Sequence, residues 1–183
     1  ELPVLGRHNL RNALAAAAFS LALGIPAAEI RAGLLAYAGL AHRFEDAGSA
    51  GGVSFINDSK ATTISAVAAA AGSARPGAAL LLGGKNKGLD FSGLRPLLEE
   101  KGLALYYFGA AGPEVRDMVG LPGDLYPGVG EALAAAFRDQ RGTAAAQVIL
   151  APGGTSYDQF KDFEERGRFV KDFVVRLRGE YGP

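Results

Sequence analysis

Apolar positions follow two rhythms along this chain, and the change from one to the other marks its organisation. From Asn9 to Gly24 alanine and leucine dominate at helical spacing; Asn9 stands where a cap would, and Gly24 ends the run. Pro26 opens a second stretch with Ile30, Leu34, Leu35 and Tyr37 on one face and Gly39 past its end. Together they predict a helical hairpin. Beyond Gly39–His42 the pattern alternates around a glycine-rich turn, which predicts two short strands, Phe44–Ala47 and Val53–Asn57. A helix is predicted over Thr62–Ala74, then a continuous apolar run, Ala78–Gly84, of the kind a strand buried on both faces shows. Helices at 94–102, 112–120 and 130–142 and strands at 103–109 and 146–152 follow. The chain closes on a helix over 157–179 whose apolar face carries Phe160, Phe163, Val170, Phe173, Val174 and Leu177.

Strand then helix, repeated, predicts an α/β fold with a mostly parallel sheet. The break at Gly39–His42 is the candidate domain boundary. The 183 residues suffice for one domain, or for one domain and a piece of another. Hydrophobic residues make up 49% and charged residues 21%, a globular rather than a disordered composition. The 19 basic and 19 acidic residues cancel, so no global field draws the chain to nucleic acid or an anionic membrane. There is no cysteine, which excludes disulfides and thiolate zinc sites and is compatible with a cytoplasmic location. With two histidines, His8 and His42, a histidine-rich metal centre is not expected, and no metal ligand is assigned. No apolar run reaches the ~18 residues of a membrane span, and no signal peptide is read. The chain starts at Glu1 without methionine, which suggests a fragment or a trimmed product.

In an open α/β sheet ligands bind outside the carboxyl ends of the strands. Four loops fall there: "NDSKATT" from Asn57, "GGKNKGLDF" from Gly83, "GAAGPE" from Gly109 and "APGGTSYDQF" from Ala151. Lysine supplies a point charge, hydroxyls supply adjustable donors, and glycine lets backbone N–H groups approach a ligand. Helix starts beyond the loops add positive dipole ends. This edge is built for carboxylates or phosphates, with Lys60, Thr62, Lys87 and Ser156 as donors. Each residue also has a plainer use. Ser59 or Thr62 can cap a helix, Lys85 and Lys87 can be solvated charges, and Asp158 can favour a helix dipole. The loop at Lys85 lacks the G-x-x-x-x-G-K-[ST] pattern and is no Walker A motif. Asn12, a poor helix former inside an alanine-rich helix, faces either a ligand or solvent. Arg43 and Asp58 flank the strand hairpin and are close enough for either an ion pair or a shared site.

The runs "GRHNLRNALAAA", "GLAHRFE", "FINDSKAT", "LLGGKNKGLDF" and "SYDQFKDFEERG" resemble, in order and spacing, the Mur ligase family of cell-wall precursor synthesis, in its D-glutamate-adding branch. The resemblance covers essentially the whole chain; Thr63, Lys85 and the run "GGTSYDQF" depart from residues common there. It implies that residues 1–40 are the helical end of a central ATP-binding domain and residues 41–183 a Rossmann-like C-terminal domain that binds glutamate. It implies an ATP-dependent ligase that adds D-glutamate to UDP-N-acetylmuramoyl-L-alanine through an acyl phosphate. The family's phosphate loop and magnesium ligands then lie upstream of Glu1, and the piece alone is inactive. By the same resemblance Asn9, Asn12, Arg43 and Asp58 lie on the nucleotide. Thr62, Lys87, Ser156 and the Phe163 backbone hold the glutamate carboxylates, and Lys60 and Lys87 carry the charge needed for catalysis. The implied partners are those two substrates and the upstream domains of a monomeric enzyme. A family ligase for L-glutamate or a diamino acid, or an inactive anion-binding module, are the alternatives.

Overall fold

The apolar run at Ala79–Gly83, strand β3, lies at the middle of a mixed sheet in a computed structural model that describes residues 2–183; all five of its residues are buried. The described residues place before it helices α1 (Arg7–Ala22) and α2 (Ala27–Ala36), strands β1 (Glu45–Ala50) and β2 (Val53–Asn57), and helix α3 (Ile64–Ser73). After it a short 3-10 turn leads into α4 (Arg95–Glu100), then β4 (Ala104–Phe108), α5 (Gly112–Val119), β5 (Asp124–Tyr126), α6 (Val129–Gln140), β6 (Gln147–Gly153) and α7 (Phe163–Tyr181). The sheet order is β1-β2-β6-β3-β4-β5, antiparallel at the β1–β2 edge and parallel elsewhere.

Alternation along the strands builds two cores. Leu80, Leu82, Tyr107 and Ile149 face one side, where α3, α4 and α5 bring Val67, Leu98 and Val115. Phe55, Leu81, Phe108 and Leu150 face the other, under α6 and α7, with Leu133, Val170 and Val174. Each fully buried leucine or phenylalanine contributes about 1.5–3 kcal/mol relative to exposure. Because β6 inserts between β2 and β3, the loops after these three strands become neighbours in space although far apart in sequence.

The predicted α/β class and the order of elements hold; several boundaries move for local reasons. Helix α1 starts at Arg7, so Asn9 lies inside its first turn and its amide donates to the Leu5 carbonyl at 2.7 Å. Phe44 precedes β1 with φ 45°, outside strand geometry. Strand β5 escapes sequence reading because three residues are too few to show a period. Helix α7 begins at Phe163, not near Tyr157: Asp162 caps it by accepting from the Glu165 N–H at 2.6 Å, and residues before it form a turn on the Ser156 carbonyl.

Helix α3 is capped by Thr63, whose hydroxyl accepts from the Ala66 N–H at 3.3 Å. Capping therefore consumes Thr63 and leaves Thr62 outside the helix. Replacing Thr63 by alanine is expected to lower stability by about 1 kcal/mol, whereas Thr62→Ala leaves it within about 0.5 kcal/mol; thermal or urea unfolding of the two variants measures the difference.

The hairpin α1–α2 contrasts with the rest. Neither helix has a buried residue, and Leu10, Leu14, Phe19, Leu21, Leu23 and Leu35 are exposed.

Candidate functional site

All parallel strands point their carboxyl ends the same way, so the loops after β2, β3, β4 and β6 meet on one edge. Two groups of polar side chains gather there.

The first group lines the gap between α1 and the start of α3. Asn9, Asn12, Arg43, Asp58 and Lys60, with His8, surround a cavity of about 160 Å³. A larger cleft of about 550 Å³ continues from Asn9, Asn12 and Arg43 past Tyr37 and Leu40 to Glu45 and Asp46. Helical spacing explains the pairing of Asn9 with Asn12: residues three apart share a face. That face meets the loop after β2, so Asn12 turns toward this cavity. Arg43 and Asp58 share the cavity without an ion pair among the described residues. Asp58 is buried, and burial pushes its carboxyl up to about 6, against the opposing effects of a Phe44 backbone hydrogen bond and the Arg43 charge. A buried carboxyl shifted upward beside a cleft is found in ligand sites and in structural networks alike.

That shift has a consequence for stability. The native state holds the Asp58 proton more tightly than the unfolded chain does. Stability from this group is therefore full below about pH 4, falls as pH rises toward 6, and stays reduced above that. Asp58→Asn is expected to be more stable than the wild type by about 1–2 kcal/mol at pH 7.5, with the gap closing toward pH 4. Paired urea titrations across that range test it.

The loop that delivers Arg43 is held by buried polar contacts. Burial keeps the His42 ring below its usual range, and its Nδ1 lies 3.0 Å from the Asn57 amide nitrogen, which also donates to the Gly167 carbonyl at 3.1 Å. The Lys60 N–H donates to the His42 carbonyl at 3.0 Å, which ties the segment before β1 to the loop after β2.

The second group sits over β3 and β6. Lys85 and Thr155 exchange two backbone hydrogen bonds, both 2.9 Å, which ties the loop carrying Lys87 to the loop carrying Ser156. The Asn86 side chain shapes the former, accepting from the Leu89 N–H at 2.9 Å and donating to Glu114 at 3.0 Å. Lys87 is exposed, its ammonium 5.6 Å from the centre of the Tyr157 ring. Ser156 is buried, and its carbonyl accepts from the Gln159 and Phe160 N–H groups. Asp158 accepts from the Ala110 N–H at 3.1 Å and Gln159 from the Val129 N–H at 3.0 Å, pinning this turn to the β4 loop and the start of α6. Asp158 thus braces a neighbouring loop rather than starting α7. Phe163 is the first residue of α7, so its N–H has no partner within the helix. Lys60 joins the two groups: it lines the first cavity, and its ammonium lies 3.8 Å from the centre of the Phe163 ring.

Sequence reasoning missed Arg166, Asn57, Asn86 and Gln159. One signal was available. Arg166 falls between Phe163 and Val170 on the apolar stripe of α7, where a charge is out of place, and it is only 1% exposed.

No family model matches the chain. It is 42% identical over 186 residues to the UDP-N-acetylmuramoylalanine–D-glutamate ligase of Sodalis glossinidius, covering 100% of this chain and 41% of that protein. It is 38% identical over 181 residues to the enzyme of the same name from Acidobacterium capsulatum, covering 98% of this chain and 39% of that one. The chain thus spans about two fifths of the length of the curated relatives it matches. Among solved structures it resembles MurF from Acinetobacter baumannii, with a TM-score of 0.64 at 23% identity over 91% of this chain and 38% of that one. A bifunctional folylpolyglutamate synthase/dihydrofolate synthase, solved with Mn, AMPPNP and L-glutamate bound, gives 0.56 at 19% identity over 80% of this chain and 34% of that one. At those identities the structural likeness speaks for the fold.

Proposed function

We propose that this chain, 38–42% identical to UDP-N-acetylmuramoylalanine–D-glutamate ligases, belongs with them and is the glutamate-binding part of an ATP-dependent ligase of peptidoglycan precursor synthesis. The observation that carries the reading is the Lys85–Thr155 backbone pair, which sets a free lysine and a buried serine on neighbouring loops at the ligand edge of the sheet. A dicarboxylic amino acid needs two separated donor groups. Lys87 and Ser156 make one, and Thr62 with the free Phe163 N–H makes the other. Lys60 adds charge between them and the nucleotide cavity.

The nucleotide side fits as well. Arg43 offers a fork of donors suited to phosphate oxygens, Asn9 and Asn12 offer amides, and Asp58 accepts from hydroxyls of a ribose. ATP supplies the phosphoryl group that activates the substrate carboxylate. The residues of this chain bind and orient: they hold the glutamate amine toward the activated carbon and keep both carboxylates neutralised while it attacks. Catalysis by this part is positioning and electrostatics, with no covalent nucleophile. Among the described residues no three His, Cys, Asp or Glu side chains gather as a metal site; the magnesium that accompanies the nucleotide is proposed to be held by the rest of the enzyme.

Residues 1–40 are proposed to belong to the central domain and 41–183 to the C-terminal one. The exposed apolar faces of α1 and α2 support this, because such a surface is covered in a finished fold. The enzyme is proposed to be cytoplasmic and monomeric. Among the described residues, no helix is long and apolar enough to cross a membrane. Release of ADP from ATP with UDP-N-acetylmuramoyl-L-alanine tests the reading. The full-length enzyme should respond to D-glutamate and much less to L-glutamate or a diamino acid, and the 183-residue chain alone should do nothing. Turnover by the isolated chain, or preference for another amino acid, contradicts it.

A further inference from the structure

We propose that Arg166 is the positioning residue of the amino-acid cradle, a buried cation that locks the loops after β2, β3 and β6 into one donor array. Its Nε donates to the Ser59 hydroxyl at 2.9 Å, and its Nη2 donates to the Ser59 carbonyl at 2.9 Å and the Gly154 carbonyl at 3.2 Å. The Ser59 hydroxyl in turn donates to the Phe163 carbonyl at 2.8 Å. One guanidinium therefore fixes the residue before Lys60, the residue two before Ser156, and the start of α7.

The third loop is engaged by contact. Nη1 is buried without a hydrogen-bond partner, and a Cβ on Gly84 would stand 2.9 Å from it. Gly84 adopts φ +87°, and its missing side chain leaves the room that Arg166 fills. Among the described residues no carboxylate forms an ion pair with Arg166. Burial draws its guanidinium down to about 10, with Asp158 the one opposing charge. A buried cation without a carboxylate is costly by itself. At the edge where the two carboxylates of the ligand are to sit, the same charge becomes favourable. The fork geometry is needed, because only arginine reaches two carbonyls and a hydroxyl with one planar group.

This inference rests on the ligase reading above. In the full-length enzyme, Arg166→Lys keeps the charge and loses the fork. The KM for D-glutamate is expected to rise on the order of tenfold, while the KM for ATP stays within about twofold. Ser59→Ala, a small change that removes the hydroxyl bridge, is expected to move the same constant in the same direction, and it decides the matter if the lysine variant does not fold. A merely structural role would lower the melting temperature and leave both constants of the folded fraction unchanged, or raise both together. Either result overturns the proposal. Wild-type enzyme in the same assay separates the two levels: if it shows no glutamate-dependent turnover, the ligase reading fails and this inference with it.

Discussion

Replacing Lys87 by alanine in the full-length enzyme is expected to lower kcat/KM for D-glutamate a hundredfold to a thousandfold, on the order of 3–4 kcal/mol. The lysine is the point charge of the loop that the Lys85–Thr155 pair holds beside Ser156. Its removal leaves a ligand carboxylate desolvated and unmatched, and that penalty dominates the loss. The fold should not notice. Lys87 is exposed and contacts only the rim, its cation–π geometry with Tyr157 being 5.6 Å. Unfolding free energy should stay within about 0.5 kcal/mol of the wild type, and the KM for ATP should barely move. Steady-state kinetics beside a thermal melt separate these effects. Unchanged turnover would return Lys87 to the status of a solvated loop charge and support the reading as an inactive anion-binding module.

Gly83→Ala should do the reverse and strike the fold first. Gly83 ends β3 with φ +146°, and a Cβ there would collide with the Phe108 carbonyl of the neighbouring strand. The clash is with backbone hydrogen-bonded into the sheet, since Gly84 donates to that same carbonyl at 3.0 Å. Positive-φ strain of about 1–3 kcal/mol and overpacking of similar size together predict a loss of about 3–4 kcal/mol. For a chain of this length that is a fall of about 10 °C in melting temperature. Glutamate binding by the surviving folded molecules should also weaken, because this strand end aims the Lys87 loop. A variant that melts with the wild type would mean that the β3–β4 approach is looser than it stands here.

The alternation of apolar and polar residues disclosed the class of fold because each strand buried on both faces leaves a continuous run, as at Ala79–Gly83, and each helix a stripe, as at Val170, Val174 and Leu177. The donor residues were legible for a related reason: lysines, hydroxyls and glycines collect where apolar runs stop. Placement was not. That β6 lies between β2 and β3 is a long-range fact, and it alone brings the Lys60, Lys87 and Ser156 loops together. Which threonine caps α3 was likewise invisible, since Thr62 and Thr63 have equal propensity and only the backbone path selects Thr63. The bracing groups Arg166, Asn57 and Asn86 act through contacts across the chain, up to 110 residues for Asn57, and leave little trace in local pattern. Arg166 is the exception, a charge breaking an apolar stripe.

The most direct test is a crystal structure of the full-length enzyme with D-glutamate bound. One carboxylate should accept from the Lys87 ammonium and the Ser156 hydroxyl together, and the other should face Thr62 and the Phe163 N–H. Glutamate found away from this edge, or Lys87 and Ser156 turned to opposite sides of it, would contradict the account.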